Sequence, residues 1–576
     1  MDKKEIANIL NDIGLLLELK GENPFKSRAY YNAARTIELL EEDIETLVKE
    51  DRLKEIKGIG EAINKKITEL VLTGKMEYYE NLKASIPEGL VEMLKIPGLG
   101  PKKIKIIYEK LNITTIRELE YACIENRLVD LPGFGVKTQK KIFEGIQFVK
   151  QFSGQHLFAE VYTEALKLKE YLDMTKTALV TEIAGSLRRK KEIVKDIDIL
   201  ASASDSSKVM EAFVNYQDVR EVIAKGDTKT SVTLKSGINT DLRVVTEKEF
   251  PYALHHFTGS KEHNTAMRHR AKQMGIKMNE YGLFKGDKLI ECKSEEEIFN
   301  KLGLLYIPPE LRENMGEIEA AEKGELPKLI EEKDIKGVFH VHTTYSDGAN
   351  TLVEMVEAAR KLGYKYIGIT DHSKSAFYAG GLKEEDLVRQ WEEIEELNKK
   401  YNDIVIFKGI ESDILPDGSL DYGEEILKQF EFVIASIHSH FRMSKEDMTK
   451  RMIKAIENKY TTIIGHVTGR LLLARDSYEI DIYEVIEAAA HYGKIIEINA
   501  NPYRLDLDWR YVKHAKEKGV KLAICPDAHS IEGLNDVKYG VGIARKGWLE
   551  AKDVINTYEV HEICGSLFFQ KMQNRR

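Results

Sequence analysis

Apolar positions recur at helical spacing through roughly the first 150 residues and are broken by short glycine-containing turns, which predicts an all-helical segment. From about 155 to 310 the pattern changes: helical stretches alternate with β-rich runs at 197–201, 231–235 and 241–245. A Glu/Lys/Pro-rich stretch from 308 to 334 then reads as a linker with some helix. Beyond it, short apolar runs at 337–342, 365–371, 404–411, 431–438, 461–466, 494–499 and 521–526 alternate with helical patterns such as 352–362 and 424–429. Seven such units predict a barrel related to the eight-fold βα barrel, with its chemistry at the C-terminal strand ends. The fold class expected is therefore multidomain α/β: a helical module, a mixed module, a linker and a barrel.

Composition narrows the class. A chain of 576 residues is too long for one core and suggests about three or four domains. With 43% hydrophobic and 31% charged residues it reads as globular, and no run of ~18 apolar residues could span a bilayer. No signal-peptide core follows the N-terminal Met1, and Cys123, Cys292, Cys525 and Cys564 lack the spacing of a disulfide framework or zinc ribbon. A cytoplasmic protein is expected. The net charge of −9 excludes a generally basic nucleic-acid binder, so DNA contacts must come from local patches or backbone amides.

Such a patch recurs three times in the helical segment, as Ile56-Lys-Gly58-Ile-Gly60, Ile96-Pro-Gly98-Leu-Gly100 and Leu131-Pro-Gly133-Phe-Gly135. Glycines in these turns bring backbone amides close to a phosphate, and Lys65-Lys66, Lys102-Lys103 and Lys140-Lys141 add charge in the helices that follow. Three turns of one form read as helix-hairpin-helix motifs that grip DNA backbone without reading sequence. Carbonyls of Lys54, Ile56 and Ile59, and of Leu94, Ile96 and Leu99, are candidates to hold monovalent cations there.

The mixed module carries Gly185-Ser186-Leu-Arg188-Arg189, then Asp196-Ile-Asp198, then Asp241 in a further β-rich run. Residues i and i+2 of a strand face the same way, so Asp196 and Asp198 present two carboxylates to one point. With Asp241 they could hold two Mg²⁺ (or Mn²⁺) ions for transfer of a nucleotide to a 3′-hydroxyl. Gly185 and Ser186 offer an amide and a hydroxyl to phosphates, and Arg189 adds charge.

In the barrel, metal-liking residues stand at the ends of successive runs: His340, His342, Asp347, Asp371-His372, Glu411, His438, His440, His466, Asp527 and His529. Ten of the 15 histidines lie after residue 335. Imidazoles and carboxylates without thiolates suit Mn²⁺, Zn²⁺ or Fe²⁺, and clustered cations are the usual engine of phosphoester hydrolysis. His440 and Asp371 are expected to orient ligands, and Arg470 and Arg504 are candidate phosphate contacts.

On these motifs, with Phe257-Thr-Gly259-Ser, Asn264, Met267-Arg268 and Asn279-Glu-Tyr281, residues 1 to about 315 resemble a family X DNA polymerase of the polymerase beta type. The barrel motifs resemble a PHP (polymerase and histidinol phosphatase) domain over roughly 335–576. The resemblance implies an N-terminal helical domain at 1–85, fingers at 86–152, palm at 153–250, thumb at 251–315, linker at 316–335 and PHP domain at 336–576. It implies that Phe257 and Gly259 pack under the nucleotide sugar. Asn264 would touch the base, Arg268 the template side, and Ser186 and Arg189 the triphosphate. His256 stands where that type has Tyr, which bears on ribonucleotide discrimination.

Lys66 falls at the family's Schiff-base lysine, a candidate for 5′-deoxyribose-phosphate lyase activity, and Tyr30 also matches, but Phe25 replaces a His. For the barrel the resemblance implies a trinuclear Mn²⁺ or Zn²⁺ site. His340, His342, Glu411 and Asp527 would hold one ion, Glu411, His438 and His466 a second, and Asp347, His372 and His529 a third. The implied enzyme is a monomeric repair polymerase that fills gapped or primed DNA from dNTPs and removes 3′ nucleotides. Rival readings are a DNA-end-binding scaffold with a vestigial barrel, and a barrel that hydrolyses small phosphate esters.

Overall fold

The computed structural model describes residues 3–38, 40, 42, 44–56, 58–150 and 154–565. Lys57 of the first hairpin, residues 151–152 at the expected fingers boundary and the terminal 566–576 of the expected PHP domain lie outside the described residues. The chain forms two compact units, 1–150 and 151–576.

The first unit is helical as its periodicity predicts. Lys3–Lys20 and Pro24–Glu38 pair closely, and Glu61–Thr73, Pro101–Leu111, Ile116–Ile124 and Val136–Lys150 follow among shorter turns. One apolar cluster runs from Ile6 to Ile146, so both expected helical domains are built round a single core. Each interhelical turn closes alike: the amides of Ile59, Leu99 and Phe134 donate to the carbonyls of Ile56, Ile96 and Leu131.

In the second unit, five strands form a sheet in the order Val180–Ile183, Asp196–Ser202, Asn239–Val245, Lys229–Leu234 and Val219–Lys225. The first fits the strand-to-helix turn expected at Gly185-Ser186, and the last is not expected from the sequence. Val219–Lys225 is an exposed edge whose burial pattern lacks the alternation that betrays a strand. Asp196–Ser202 and Asn239–Val245 run parallel, and helices Phe158–Thr175 and Ser206–Val214 pack in the same core. Helices Phe250–Thr258, Lys261–Gln273 and Glu295–Lys301 with a small antiparallel sheet then build a separate core.

The stretch expected to be a linker is packed, not a tether. Its helix Glu317–Lys323 buries Ile318 and Ala321, and the Glu317 carboxylate meets His263 Nδ1 at 2.8 Å, both side chains fully buried. Leu329 joins that core together with Trp548 from beyond the barrel strands. A few apolar residues scattered among many Glu and Lys are enough to seat the segment, which composition alone hides.

The barrel strands are Gly337–Val341, Tyr366–Ile369, Val405–Lys408, Glu411–Asp413, Ile434–Ser436, Ile463–Ile464, Ile495–Asn499 and Leu522–Cys525, all pairing in parallel. The expected strand 404–411 is broken at Gly409-Ile410. Its first half pairs with Tyr366–Ile369 and its second with Ile434–Ser436, which splits the ring into two sheets. Isolated bridges Val341–Ala528 and His372–Glu411 join them again, giving a distorted seven-unit barrel. Phe339, Tyr366, Phe407 and Phe432 cluster with Ile463, Ile495 and Cys525. Their neighbours in sequence Val338, Ile367, Ile406 and Val433 belong to the larger cluster that includes the surrounding helices, the two-faced burial of a parallel barrel. No helix among the described residues is long and apolar enough to cross a membrane.

Candidate active sites

In the five-stranded sheet, register carries the geometry. Asp196 and Asp198 lie two apart on one strand, and Asp241 is the direct parallel partner of Asp198. Burial first, then the Asp196 and Asp241 carboxylates, raises Asp198 to about 6; burial, then Asp241, raises Asp196. Three carboxylates facing one another with little neutralising charge are a site short of cations. Lys229 Nζ lies 2.6 Å from Asp241 Oδ2, and Ser231 Oγ donates to Asp241 Oδ1 at 2.5 Å. Gly185 has φ +63°, and a Cβ there would stand 2.1 Å from Asp198 Oδ2. Only glycine lets the strand-to-helix turn pass this close to the carboxylate.

Ser186 is in the short helix Gly185–Arg188 that opens from this turn. Arg189 is nearly buried and donates through Nη1 to the Thr258 carbonyl and through Nε to Glu313 Oε1, at 2.5 and 3.1 Å. Arg188 donates to Thr258 Oγ1 at 2.7 Å and to Glu295 at 2.6 Å. In this structure both arginines therefore fasten the sheet to the following helices. Gly259 ends helix Phe250–Thr258 with φ +72° against the Arg189 guanidinium. Phe257 lies under Arg243, whose Cζ is 4.4 Å from the ring centre. Asn264 donates to the His256 carbonyl at 2.7 Å while its own Oδ1 has no hydrogen-bond partner, and Arg268 Nε reaches the Asn264 carbonyl at 3.2 Å.

The barrel gathers all nine expected ligands into one buried cluster, with Glu411 at its centre. Its Oε1 lies 2.9 Å from His466 Nε2 and 3.2 Å from both His340 Nε2 and His438 Nε2. Its Oε2 lies 2.9 Å from His372 Nδ1 and 3.7 Å from His342 Nε2. Asp527 Oδ1 stands 3.5 and 3.3 Å from the Nε2 atoms of His340 and His342, while Asn499 and Arg504 hold its Oδ2. Asp347 is 3.5 Å from His372 Nε2 and 3.4 Å from His529 Nε2. Ligand atoms fall into four overlapping groups, each within 4.8 Å, and His342 joins Asp347, His372 and His529 in one of them.

Donor spacings of this size fit a metal better than a hydrogen-bond network. Two ligands each ~2.0–2.2 Å from one cation stand roughly 3–3.5 Å apart. Both ring nitrogens of His342 and the Oε2 of Glu411 are buried without hydrogen-bond geometry to any protein group. Burial first, then His529 and His372, holds His342 at about 3; burial, then Arg504, holds His466 at about 3. Both imidazoles are thus neutral and able to donate lone pairs.

Backbone detours aim these residues. The pairing register slips between Val338 and Val341, and His340 takes φ +63°, a bulge that lets His340 and His342 both reach the cluster. Asp527, with φ +50°, does the same at the end of the last strand.

The orienting groups differ from those expected. Glu497 accepts from His340 Nδ1 and from the His466 amide, and Asp413 meets His438 Nδ1. Both are buried carboxylates behind imidazoles, an arrangement that fixes tautomer and ring orientation. A signal existed for each: Glu497 is the one charge in the apolar run Ile-Ile-Glu-Ile, and Asp413 repeats Glu411 at i+2. Asp371 braces the 343–346 loop, accepting from Thr343, Ser346 and Gln390. His440 does not orient a ligand: it is exposed, with its ring at Ser439. Arg470 is committed to the carbonyls of Arg504 and Leu505 and to Asp508, which removes it as a phosphate contact in this arrangement. Arg504 stays beside the cluster, 3.4 Å from Asp527.

In the helical unit, Gly58, Gly98, Gly133 and Gly135 have positive φ, between +81° and +128°. Gly60 and Gly100 instead cap the helices that follow, in extended conformation. A Cβ at Gly60, Gly98, Gly100, Gly133 or Gly135 would meet nothing within 4 Å, so these turns are open on their outer side. Lys66 stands 4.2 Å over the Tyr78 ring and 5.9 Å over Tyr30, at a hollow of about 490 Å³ lined with Glu61, Lys65 and Glu69. Burial, then Lys26, lowers its pKa. Phe25 is largely exposed at the surface.

Comparison with known families places these parts in one class. A helix-hairpin-helix domain matches residues 1–76, a SAM-like helix-hairpin-helix tandem 90–147, the DNA polymerase beta thumb 253–313, and the PHP domain 339–501. Over 98% of this chain and 99% of the relative, the sequence is 41% identical to DNA polymerase/3'-5' exonuclease PolX of Bacillus subtilis (strain 168). Over 38% of this chain and 89% of that protein, the sequence is 33% identical to a probable phosphatase of Thermoanaerobacter sp. (strain X514). A probable phosphatase of Caldicellulosiruptor bescii is 37% identical over 33% of this chain and 78% of its own length. The chain belongs to the PolX family, family X DNA polymerases that carry a C-terminal PHP domain.

Proposed function

We propose that the chain is a DNA-directed DNA polymerase that fills short gaps during repair, with a 3′→5′ exonuclease in its barrel. The observation that carries this is the presence, in one compact unit, of two separate ion-competent centres with different donors: three carboxylates in the sheet, and nine imidazoles and carboxylates in the barrel.

At the sheet site, Asp196, Asp198 and Asp241 would hold two Mg²⁺ or Mn²⁺ ions, which supply activation of the 3′-hydroxyl and charge neutralisation of the triphosphate. The chain's own share is placement. Gly185 opens the space beside Asp198, and Ser186 and Arg189 receive phosphate oxygens once Arg189 turns from its present partners. Phe257 and Gly259 support the sugar, Asn264 offers its unpartnered Oδ1 end to the base, and Arg268 the template side.

At the barrel site the nine ligands would hold three ions, Mn²⁺ or Zn²⁺, which activate water and steady the charge that builds on phosphorus. Glu411, at the centre of the cluster, would be a ligand, Glu497 and Asp413 would fix the imidazoles of His340 and His438, and Arg504 would meet a phosphate oxygen. The open hairpin turns at Gly58, Gly60, Gly98, Gly100, Gly133 and Gly135 suit the sugar–phosphate backbone, with a monovalent cation at the first two. Lys66, with its lowered pKa, is the candidate lyase nucleophile. A monomer acting on DNA in the cytoplasm completes the reading.

The test is a separation of function in the full chain. Asp198→Ala should abolish primer extension and leave Mn²⁺-dependent primer shortening; His342→Ala should do the reverse. Loss of both activities in either variant, or hydrolysis of small phosphate monoesters in preference to DNA, would defeat the assignment.

A further inference from the structure

A barrel side chain enters the polymerase half. Lys546 ends helix Val537–Lys546, is 1% exposed, and projects away from the barrel strands into the joint between sheet and thumb. Its Nζ donates to the Arg189 carbonyl at 3.0 Å, to Glu313 Oε1 at 2.8 Å and to the Glu310 carbonyl at 3.4 Å, and lies 4.5 Å from the Trp509 ring centre. The neighbouring Arg545 reaches Glu310 Oε1 at 2.8 Å.

One oxygen decides the chemistry. Glu313 Oε1 is shared by Lys546 Nζ and Arg189 Nε, at 2.8 and 3.1 Å. A buried carboxylate with a single cationic partner holds it strongly, because releasing it strands an uncompensated charge. With two partners on the same oxygen, Arg189 can leave and Glu313 remains paired. Lys546 at the same time pins the main chain of Arg189 through its carbonyl, so only the guanidinium is released.

We propose that Lys546 is a positioning residue for nucleotidyl transfer: it neutralises Glu313 so that Arg189 is free to exchange that carboxylate for the triphosphate of the incoming nucleotide. This rests on the reading of Arg189 as a triphosphate contact. The barrel then serves the polymerase site directly, without using its own metal cluster.

The experiment measures single-nucleotide incorporation by the full chain against dNTP concentration. Lys546→Met should raise the dNTP KM about ten-fold, the worth of one charge-assisted hydrogen bond, with kcat near that of the unaltered chain. Glu313→Gln added to Lys546→Met should bring KM back, because the carboxylate that traps Arg189 is gone. A KM that does not move in Lys546→Met, or a loss that the second substitution leaves in place, would overturn the proposal and leave Lys546 as a mere staple. Mn²⁺-dependent primer shortening and thermal melting report whether Lys546→Met is folded. If it is not, Glu313→Gln alone must lower KM, and an unchanged or higher value counts against the idea. Extension that survives Asp198→Ala would instead overturn the underlying reading of the sheet site.

Discussion

The sheet site and the barrel site solve the same electrostatic problem in opposite ways. At the first, three carboxylates converge, Lys229 and Ser231 partner Asp241, and burial followed by the neighbouring carboxylates raises the pKa of Asp198. At the second, six imidazoles surround three carboxylates, and Glu411, Asp347 and Asp527 are held well below the usual carboxylate range even though burial opposes it. The first offers oxygen donors and partial exposure, a set that binds Mg²⁺ weakly until phosphates complete the shell, so its ions should arrive with the nucleotide. The second is buried and preassembled, and should keep its ions between turnovers.

The largest effect that would break this contrast comes from metal removal. Treatment with a strong chelator followed by dialysis should abolish both activities. Mg²⁺ alone should then restore extension but not primer shortening, which should need Mn²⁺ or Zn²⁺. Elemental analysis of untreated protein should find ions in Asp196→Ala but not in Glu411→Gln. Recovery of both activities with Mg²⁺ would erase the distinction between weak and retained ions.

Next in size is Gly185→Ala. Its Cβ cannot coexist with Asp198 Oδ2, and a displacement of about 1 Å at a reacting centre costs about 100-fold. Extension should fall by that order while primer shortening is untouched, as single-turnover assays of both reactions would show.

Glu497→Gln sharpens the barrel side. It keeps the size of the group behind His340 and His466 but removes its charge, and the metal affinity of the cluster should drop about 10- to 100-fold. Competition with a chelator of known affinity measures this, and an unchanged affinity would mean that the preassembled basket does not depend on its outer carboxylates.

The smallest effect belongs to the hairpins. Lys102→Ala should weaken binding of gapped DNA uniformly across sequences and lower the slope of log K against log salt by about one. A sequence-dependent loss would mean that the second hairpin reads bases.

How much of this was legible follows from where each signal lies. The nine barrel residues could be read because most stand at or just past the end of an apolar run, so strand position and chemistry pointed the same way. Asp196 and Asp198 could be read from the period of a strand, and Asp241 from the next β-rich run. The partners behind them could not: Glu497 and Asp413 are orienters only because residues far away in sequence stand in front of them. His440 and Arg470 were misplaced for the same reason, since a His two residues after a ligand and an Arg at a loop gain their roles from contacts that sequence does not display. The packed 316–335 segment hid behind its charge, because Ile318, Ala321, Leu329 and Ile330 are few among Glu and Lys yet suffice to bury it.

The apolar contacts between barrel and polymerase half set what can be cut. Leu157, from before the sheet, belongs to the barrel's main core, and Trp548, from beyond the barrel strands, belongs to the thumb's. A chain ended at residue 335 would bare the thumb and strand Lys190, which now packs against Gly542. One substitution among its ligands should silence the barrel's hydrolysis, whereas trimming its body away should expose the apolar surface that it now covers on the polymerase half. Mutational decay of the ligands in a lineage should therefore leave the domain's body in place.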